Sequence, residues 1–157
     1  MPFEVVGKPI NRLRGVVPVP SIWDVNPTNL ERCTDGDWAN QTGVGNKVLV
    51  GGGHYGQLLF DMGAAYSVLV RGKILIGNSD AGGIYVCLYG SEDGVNYYTF
   101  PGYSYELLMW YMVPPGSVTI FIEAFLRARY IKLLWIGECN GTWYGAVSEI
   151  EAIDFNI

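Results

Sequence analysis

Helical spacing of apolar residues is almost absent from this sequence, and short runs rich in Val, Ile, Tyr and Phe recur instead between clusters of Gly, Pro, Asn and Asp. That rhythm predicts strands at Lys47–Val50, Gln57–Asp61, Val68–Ile76, Ile84–Tyr89, Val118–Glu123, Tyr130–Ile136 and Glu149–Phe155. Turn chemistry falls at Asn78–Gly83, Glu92–Asn96 and Glu138–Gly141. In Tyr130–Ile136, alternation sends Tyr130, Lys132, Leu134 and Ile136 to one face and Ile131, Leu133 and Trp135 to the other, so both faces are largely apolar. A strand of that kind belongs inside a stack of sheets, and the spacing of the rest points to an all-β, two-sheet antiparallel sandwich. Gly63 and Gly94 stand where turns would require positive φ.

The 157 residues suffice for one sizeable core and are too few for two ordinary domains. Pro2, Pro9, Pro18, Pro20 and Pro27 cannot donate ladder hydrogen bonds, so residues 1–29 read as an extended arm and lead-in, and residues 30–157 as the sandwich. Phe100 to Gly116 is longer than a hairpin connection needs and carries the apolar block Leu107–Val113. That block is either a further strand over the chain's own sheets or an exposed contact surface centred on Leu108, Trp110 and Met112.

Net charge is −5, which removes the attraction for phosphates on which nucleic-acid binding depends. Met1 to Gly15 holds no apolar run of signal-peptide length, and no stretch approaches the ~20 apolar residues of a membrane span. Cys33, Cys87 and Cys139 cannot all pair with one another and are expected as buried thiols. One histidine, His54, and no Cys/His cluster make zinc a poor fit.

Three stretches in fixed order resemble the discoidin-like, galactose-binding-type domains, which include the coagulation-factor type C domains and many carbohydrate-binding modules. They are Cys33-Thr34-Asp35-Gly36-Asp37 with Thr42, then Leu59-Phe60-Asp61-Met62-Gly63-Ala64-Ala65-Tyr66-Ser67-Val68, and finally Ala128–Leu133 followed by Gly145–Glu151. Ser91-Glu92-Asp93-Gly94-Val95-Asn96-Tyr97 is similar to the family's "SxDGxxW" turn, with Tyr97 in place of the Trp. The resemblance spans roughly Leu30 to Phe155 and implies a galactose-binding-like jelly roll. The arm, the long Phe100–Gly116 insertion and the missing terminal cysteine pair depart from it.

The glycine-bearing loop with Asp35, Asp37 and Thr42 offers oxygen ligands suited to calcium, and the family implies a further acidic ligand from the last strand, here Glu149. The alternative is an Asx-turn in which Asp35 caps its own backbone. Related carbohydrate modules bind through loops at one end of the sandwich. That implies a site among His54, Tyr55, Trp143 and Tyr144, with Trp38 a further aromatic, unless these rings simply pack under their loops. The Gly43-x-Gly45 and Gly51–Gly53 runs lack the helix and lysine of a phosphate cradle. Without a positioned base beside a nucleophile, catalysis is not expected.

Two functions remain. The first is a subunit of a larger assembly, such as a virus or phage coat, decoration or appendage protein, contacting other protein subunits in a virion or other extracellular particle. The second is a free carbohydrate-binding module that recognises cell-surface glycans.

Overall fold

A computed structural model describes residues 7–21, 29–39, 49–50, 54–78, 82–98, 109–113, 116–138 and 142–155. The described residues form eight strands: β1 (Ile10–Asn11), β2 (Val19–Ser21), β3 (Leu49–Val50), β4 (His54–Asn78), β5 (Gly82–Ser91), β6 (Met109–Val113), β7 (Gly116–Glu138) and β8 (Thr142–Asp154). A short 3₁₀ helix spans Leu30–Thr34. Every strand pairing is antiparallel.

The architecture follows from two long strands that serve both layers. β4 and β7 lie side by side from His54 opposite Gly137 to Asn78 opposite Gly116, interrupted only where Met62 to Ala65 face Arg129. Their outer neighbours change at that interruption. Before it, β4 is flanked by β2, and β7 by β5 with β6 beyond. After it, β4 is flanked by β8, which carries β1 and β3. The sheet therefore folds over at a corner, and buried residues from both halves, Leu58, Phe60, Leu88 and Leu133 with Val70, Ile74, Ile122 and Ile150, join one core.

The corner has a local cause. Gly63 takes φ +83, and its N–H donates to Asp61 Oδ1 at 2.8 Å. The Asp61 carboxylate also receives both arms of Arg129, at 2.9 and 3.0 Å, from the strand opposite. Gln57–Asp61 and Val68–Ile76, expected as two strands, are thus halves of β4, and Val118–Glu123 and Tyr130–Ile136 are halves of β7. A bulge, which inserts extra residues without breaking the ladder, stands where a turn was read.

Residues of the proline-rich arm are stitched to this body. Leu13 is fully buried in the core, and Asn11 Oδ1 accepts from the Leu13 and Ala152 N–H groups at 3.0 and 3.1 Å. Arg12 holds Asp154 at 2.7 Å and lies 4.0 Å over the Tyr66 ring. Pro20 sits in β2 at a sheet edge, where its missing donor costs nothing. Cys33 and Cys87 are buried and outside any disulfide, and burial pushes the Cys33 thiol up to about 12. Cys139 lies outside the described residues.

Met109–Val113 is strand β6 beside β5, not a loop, with Trp110 opposite Tyr85 and Met112 opposite Gly83. At Met109–Val113 the apolar block is thus a strand of the chain's own sheet. Leu108 lies outside the described residues.

Candidate functional site

Two regions bear on function, and the first joins the early loop to β8. A register irregularity between Lys73 and Ile74 leaves Ser148 without a counterpart on β4 and sets Glu149 opposite Lys73. Glu149 is fully buried, because the loop after the 3₁₀ helix closes over it. The Gly36 N–H donates to Glu149 Oε2 at 3.0 Å, and Lys73 Nζ donates to the Trp38 carbonyl at 3.1 Å. Among the described residues, Glu149 Oε1 has no hydrogen-bond partner. Burial pushes the carboxyl up to about 7; the Gly36 N–H pulls it back, and Asp35 adds repulsion.

Two acidic groups at a buried, half-satisfied carboxylate are what a hard cation would relieve, so the donor chemistry fits calcium at Asp35 and Glu149. Asp37 is placed differently. Its Oδ1 accepts from the Ala39 N–H at 2.9 Å, and Asp35 Oδ1 accepts from the Asp37 N–H at 2.8 Å, which is the Asx geometry weighed above. The guanidinium of Arg14, which carries no motif that would single it out, donates to the Asp35 carbonyl and leans over Gly36. Thr42 lies outside the described residues. Among the described residues, no three His, Cys, Asp or Glu side chains cluster.

The second region is the end of the sandwich away from the corner. His54 and Tyr55 open β4 opposite Gly137 and Ile136. At the same end, Trp143 and Tyr144 on β8 lie opposite Asn78 and Gly77, and Trp143 is also opposite Leu49 of β3. Residues 51–53 link β3 to β4, and residues 139–141 link β7 to β8. At most ~3.6 Å of reach per residue, links this short bring the His54 and Trp143 backbone positions to one end of the fold.

Aromatic residues missed in the sequence stand out on the face of the β8–β4–β7 layer. Along β7, Ile120, Ile122, Ala124 and Leu126 are buried, whereas Phe121 and Phe125 are 67% and 64% exposed and alternate with exposed Glu123 and Arg127. A 330 Å³ recess is lined by Trp38, Arg71, Phe121 and Glu123, and a 530 Å³ recess by Tyr66, Leu69, Phe125, Arg127 and Phe155.

No protein-family model matches the sequence, and no curated protein matches it. Among solved structures, the chain is similar to CpGH89CBM32-6 produced by Clostridium perfringens, with 10% identity over 91% of this chain and 98% of that one and a TM-score of 0.51. It is also similar to CpGH89CBM32-4 of the same organism, in complex with GlcNAc-alpha-1,4-galactose, at 14% identity, 94% and 95% coverage and a TM-score of 0.46. A third likeness is to chitosan-binding module 2, in complex with chitotriose, derived from the chitosanase/glucanase of Paenibacillus sp. IK-5. There the identity is 12%, the coverage 90% and 98%, and the TM-score 0.46.

Proposed function

Because the chain has the discoidin-like, galactose-binding-type fold, we propose that it is a non-catalytic carbohydrate-binding module whose site is the sandwich end carrying His54, Tyr55, Trp143 and Tyr144. The observation that supports this most is the strand register, which brings two aromatic pairs distant in sequence to one end of the fold. An aromatic ring supplies an apolar plane and a polar tip, the combination that stacks on a sugar ring and reads its hydroxyls. Further support is the likeness to CpGH89CBM32-6, which by its name is a carbohydrate-binding module.

Subunit membership in a virus or phage particle has less behind it. The block that motivated it contributes β6 to the chain's own sheet at Met109–Val113.

Calcium, on this reading, is structural. Asp35 and Glu149 would hold it, with Asp37 and Thr42 as the other candidate donors, and the ion would fasten the early loop to β8 without entering the sugar site. The functional test is a glycan array with wild type and with Trp143→Ala, Tyr144→Ala, His54→Ala and Tyr55→Ala. Loss of a detected sugar signal in the Trp143 variant is the expected result. Binding that survives all four substitutions would remove the site from this end.

A further inference from the structure

The outward row of β7, with two exposed phenylalanines on either side of Glu123, has no role in that sugar site. Between Thr119 and Arg127, β7 is paired as a strand, among the described residues, with β4 alone, since its pairing with β5 begins at Tyr130. Among the described residues, this part of β7 is thus an edge of the β8–β4–β7 layer. An edge strand offers a row of main-chain donors and acceptors to any extended segment that fits, and natural proteins usually blunt such edges. Here the edge is not blunted by proline and has Phe121 and Phe125 on its open face.

Charge order along the edge selects the segment that fits. Two copies of a strand can pair antiparallel about a two-fold axis through one residue, and each choice of axis fixes who faces whom. An axis through Glu123 sets glutamate against glutamate, and one through Arg127 sets arginine against arginine, both destabilising directly across a ladder. An axis through Phe121 sets Glu123 against Thr119, with no cation to meet it. An axis through Ile122, Ala124 or Leu126 sets a phenylalanine against Glu123 or Arg127, and an axis between two residues pairs inward with outward side chains and breaks the continuation of the core face. An axis through Phe125 avoids all of these: Phe125 meets Phe125, Glu123 meets Arg127 in both directions, and buried Ala124 meets buried Leu126.

We propose that the chain forms a symmetric dimer by antiparallel pairing of β7 edges about Phe125, with Glu123 of each copy opposite Arg127 of the other. The Phe125 pair supplies apolar burial between the copies, and the two Glu123–Arg127 pairs set the register. Arg127 already bonds Glu92 at 2.9 Å, but that pair is exposed and exchangeable. The Tyr98 hydroxyl, which donates to the Arg127 carbonyl, uses one of two lone pairs there and leaves the other for the partner's Glu123 N–H.

The test is sedimentation equilibrium on the full chain with four variants. Wild type is expected as a dimer, and Phe125→Lys as a monomer with unchanged circular dichroism whose melting, unlike that of wild type, does not depend on protein concentration. Glu123→Arg and Arg127→Glu should each weaken dimerisation by about tenfold, since each creates two like-charge pairs per dimer. The double exchange Glu123→Arg/Arg127→Glu should restore it, which no loss of folding can mimic. A wild type that stays monomeric at its highest soluble concentration overturns the proposal, as does a double exchange no better than the singles. A monomer that loses glycan binding with Phe125→Lys would assign the face to a sugar and likewise overturn it. The sandwich-end site is read separately by the Trp143 variant.

Discussion

Two acidic, glycine-bearing loops of this molecule look alike in sequence and behave in opposite ways. In the turn at Ser91–Tyr97, Asp93 Oδ1 accepts from the Val95 and Asn96 N–H groups at 2.8 Å each and from Ser91 Oγ at 3.0 Å, and Oδ2 accepts from Asn96 Nδ2 at 2.7 Å. These donors, the Asn96 and Val95 N–H groups first, hold the exposed Asp93 carboxyl well below the usual carboxylate range. Tyr97, where the family has Trp, lies 3.6 Å from Lys132 Nζ at its ring centroid. The turn is closed and self-sufficient. At the early loop, by contrast, Glu149 has one oxygen bonded and one buried without a partner among the described residues, and its pKa moves the other way. Aspartates beside glycines are therefore not in themselves a metal signal. Both loops use backbone donors on their own aspartates; what separates them is that the early loop also closes over a carboxylate from β8, Glu149, whose oxygens those donors only half satisfy.

The sharpest way to break this contrast is through Glu149. Its folded value of about 7 lies above its ordinary 4.5, so the folded state binds the proton more tightly. Its stabilising contribution is complete below the ordinary value and lost as pH rises toward about 7. In excess chelator the melting temperature should fall across that window, and Glu149→Gln, which keeps an acceptor for Gly36 and removes the charge, should flatten the fall. Calcium should act in the opposite sense, adding about 2.7 kcal/mol at a hundredfold excess over Kd for wild type and nothing for Glu149→Gln. If melting of the wild type responds neither to pH in chelator nor to calcium, the two loops are alike after all.

A smaller effect sharpens the comparison at its glycines. Gly94 has φ +78 and a Cβ there would lie 3.1 Å from Tyr130 Cε2; Gly36 has φ +87 and its Cβ would collide with the Arg14 guanidinium. Alanine at either position should cost about 1–2 kcal/mol for the left-handed backbone, measured by denaturant unfolding. Because Arg14 must leave the Asp35 carbonyl, only Gly36→Ala should change calcium affinity; equal affinities in both variants would remove Arg14 from the account.

The smallest effect is expected at Asp93. Asp93→Ala should lower the melting temperature modestly at neutral pH and leave the calcium response intact. Because its pKa is depressed, Asp93 contributes fully above its ordinary 3.8, and the difference between variant and wild type should shrink as pH falls below that value and be lost only through the much lower folded value. A difference that does not shrink in acid would mean the side chain acts by something other than its charge.

Much of this fold was legible because period-two alternation survives in single segments: of Tyr130–Ile136, expected to be covered on both faces, Ile131 and Leu133 are fully buried, whereas Tyr130, Lys132 and Leu134 on the other face are only half-buried. Gly63 and Gly94 have the positive φ their turn settings demanded. The corner was misread because a glycine in a bulge and a glycine in a turn leave the same trace in sequence. Leu13 went unnoticed as a core residue because prolines surround it. At the early loop, the residue types were legible and their satisfaction was not, since the orphaned Glu149 oxygen depends on which N–H groups arrive from Gly36 and its neighbours. The exposed row of β7 did have a signal, Ile-Phe-Ile-Glu-Ala-Phe-Leu-Arg, in which Phe121 and Phe125 share parity with Glu123 and Arg127 rather than with the buried positions.

The corner at Gly63 carries a kinetic consequence. Since β4 and β7 each belong to both layers, neither layer can be assembled first and docked later as a finished piece. The rate-limiting event must bring together strands about half the chain apart, a high-contact-order step that places this molecule among slow folders. Once formed, the same continuity leaves no seam along which one layer can open alone, so amides on both sides of the corner should exchange with solvent through a single shared opening.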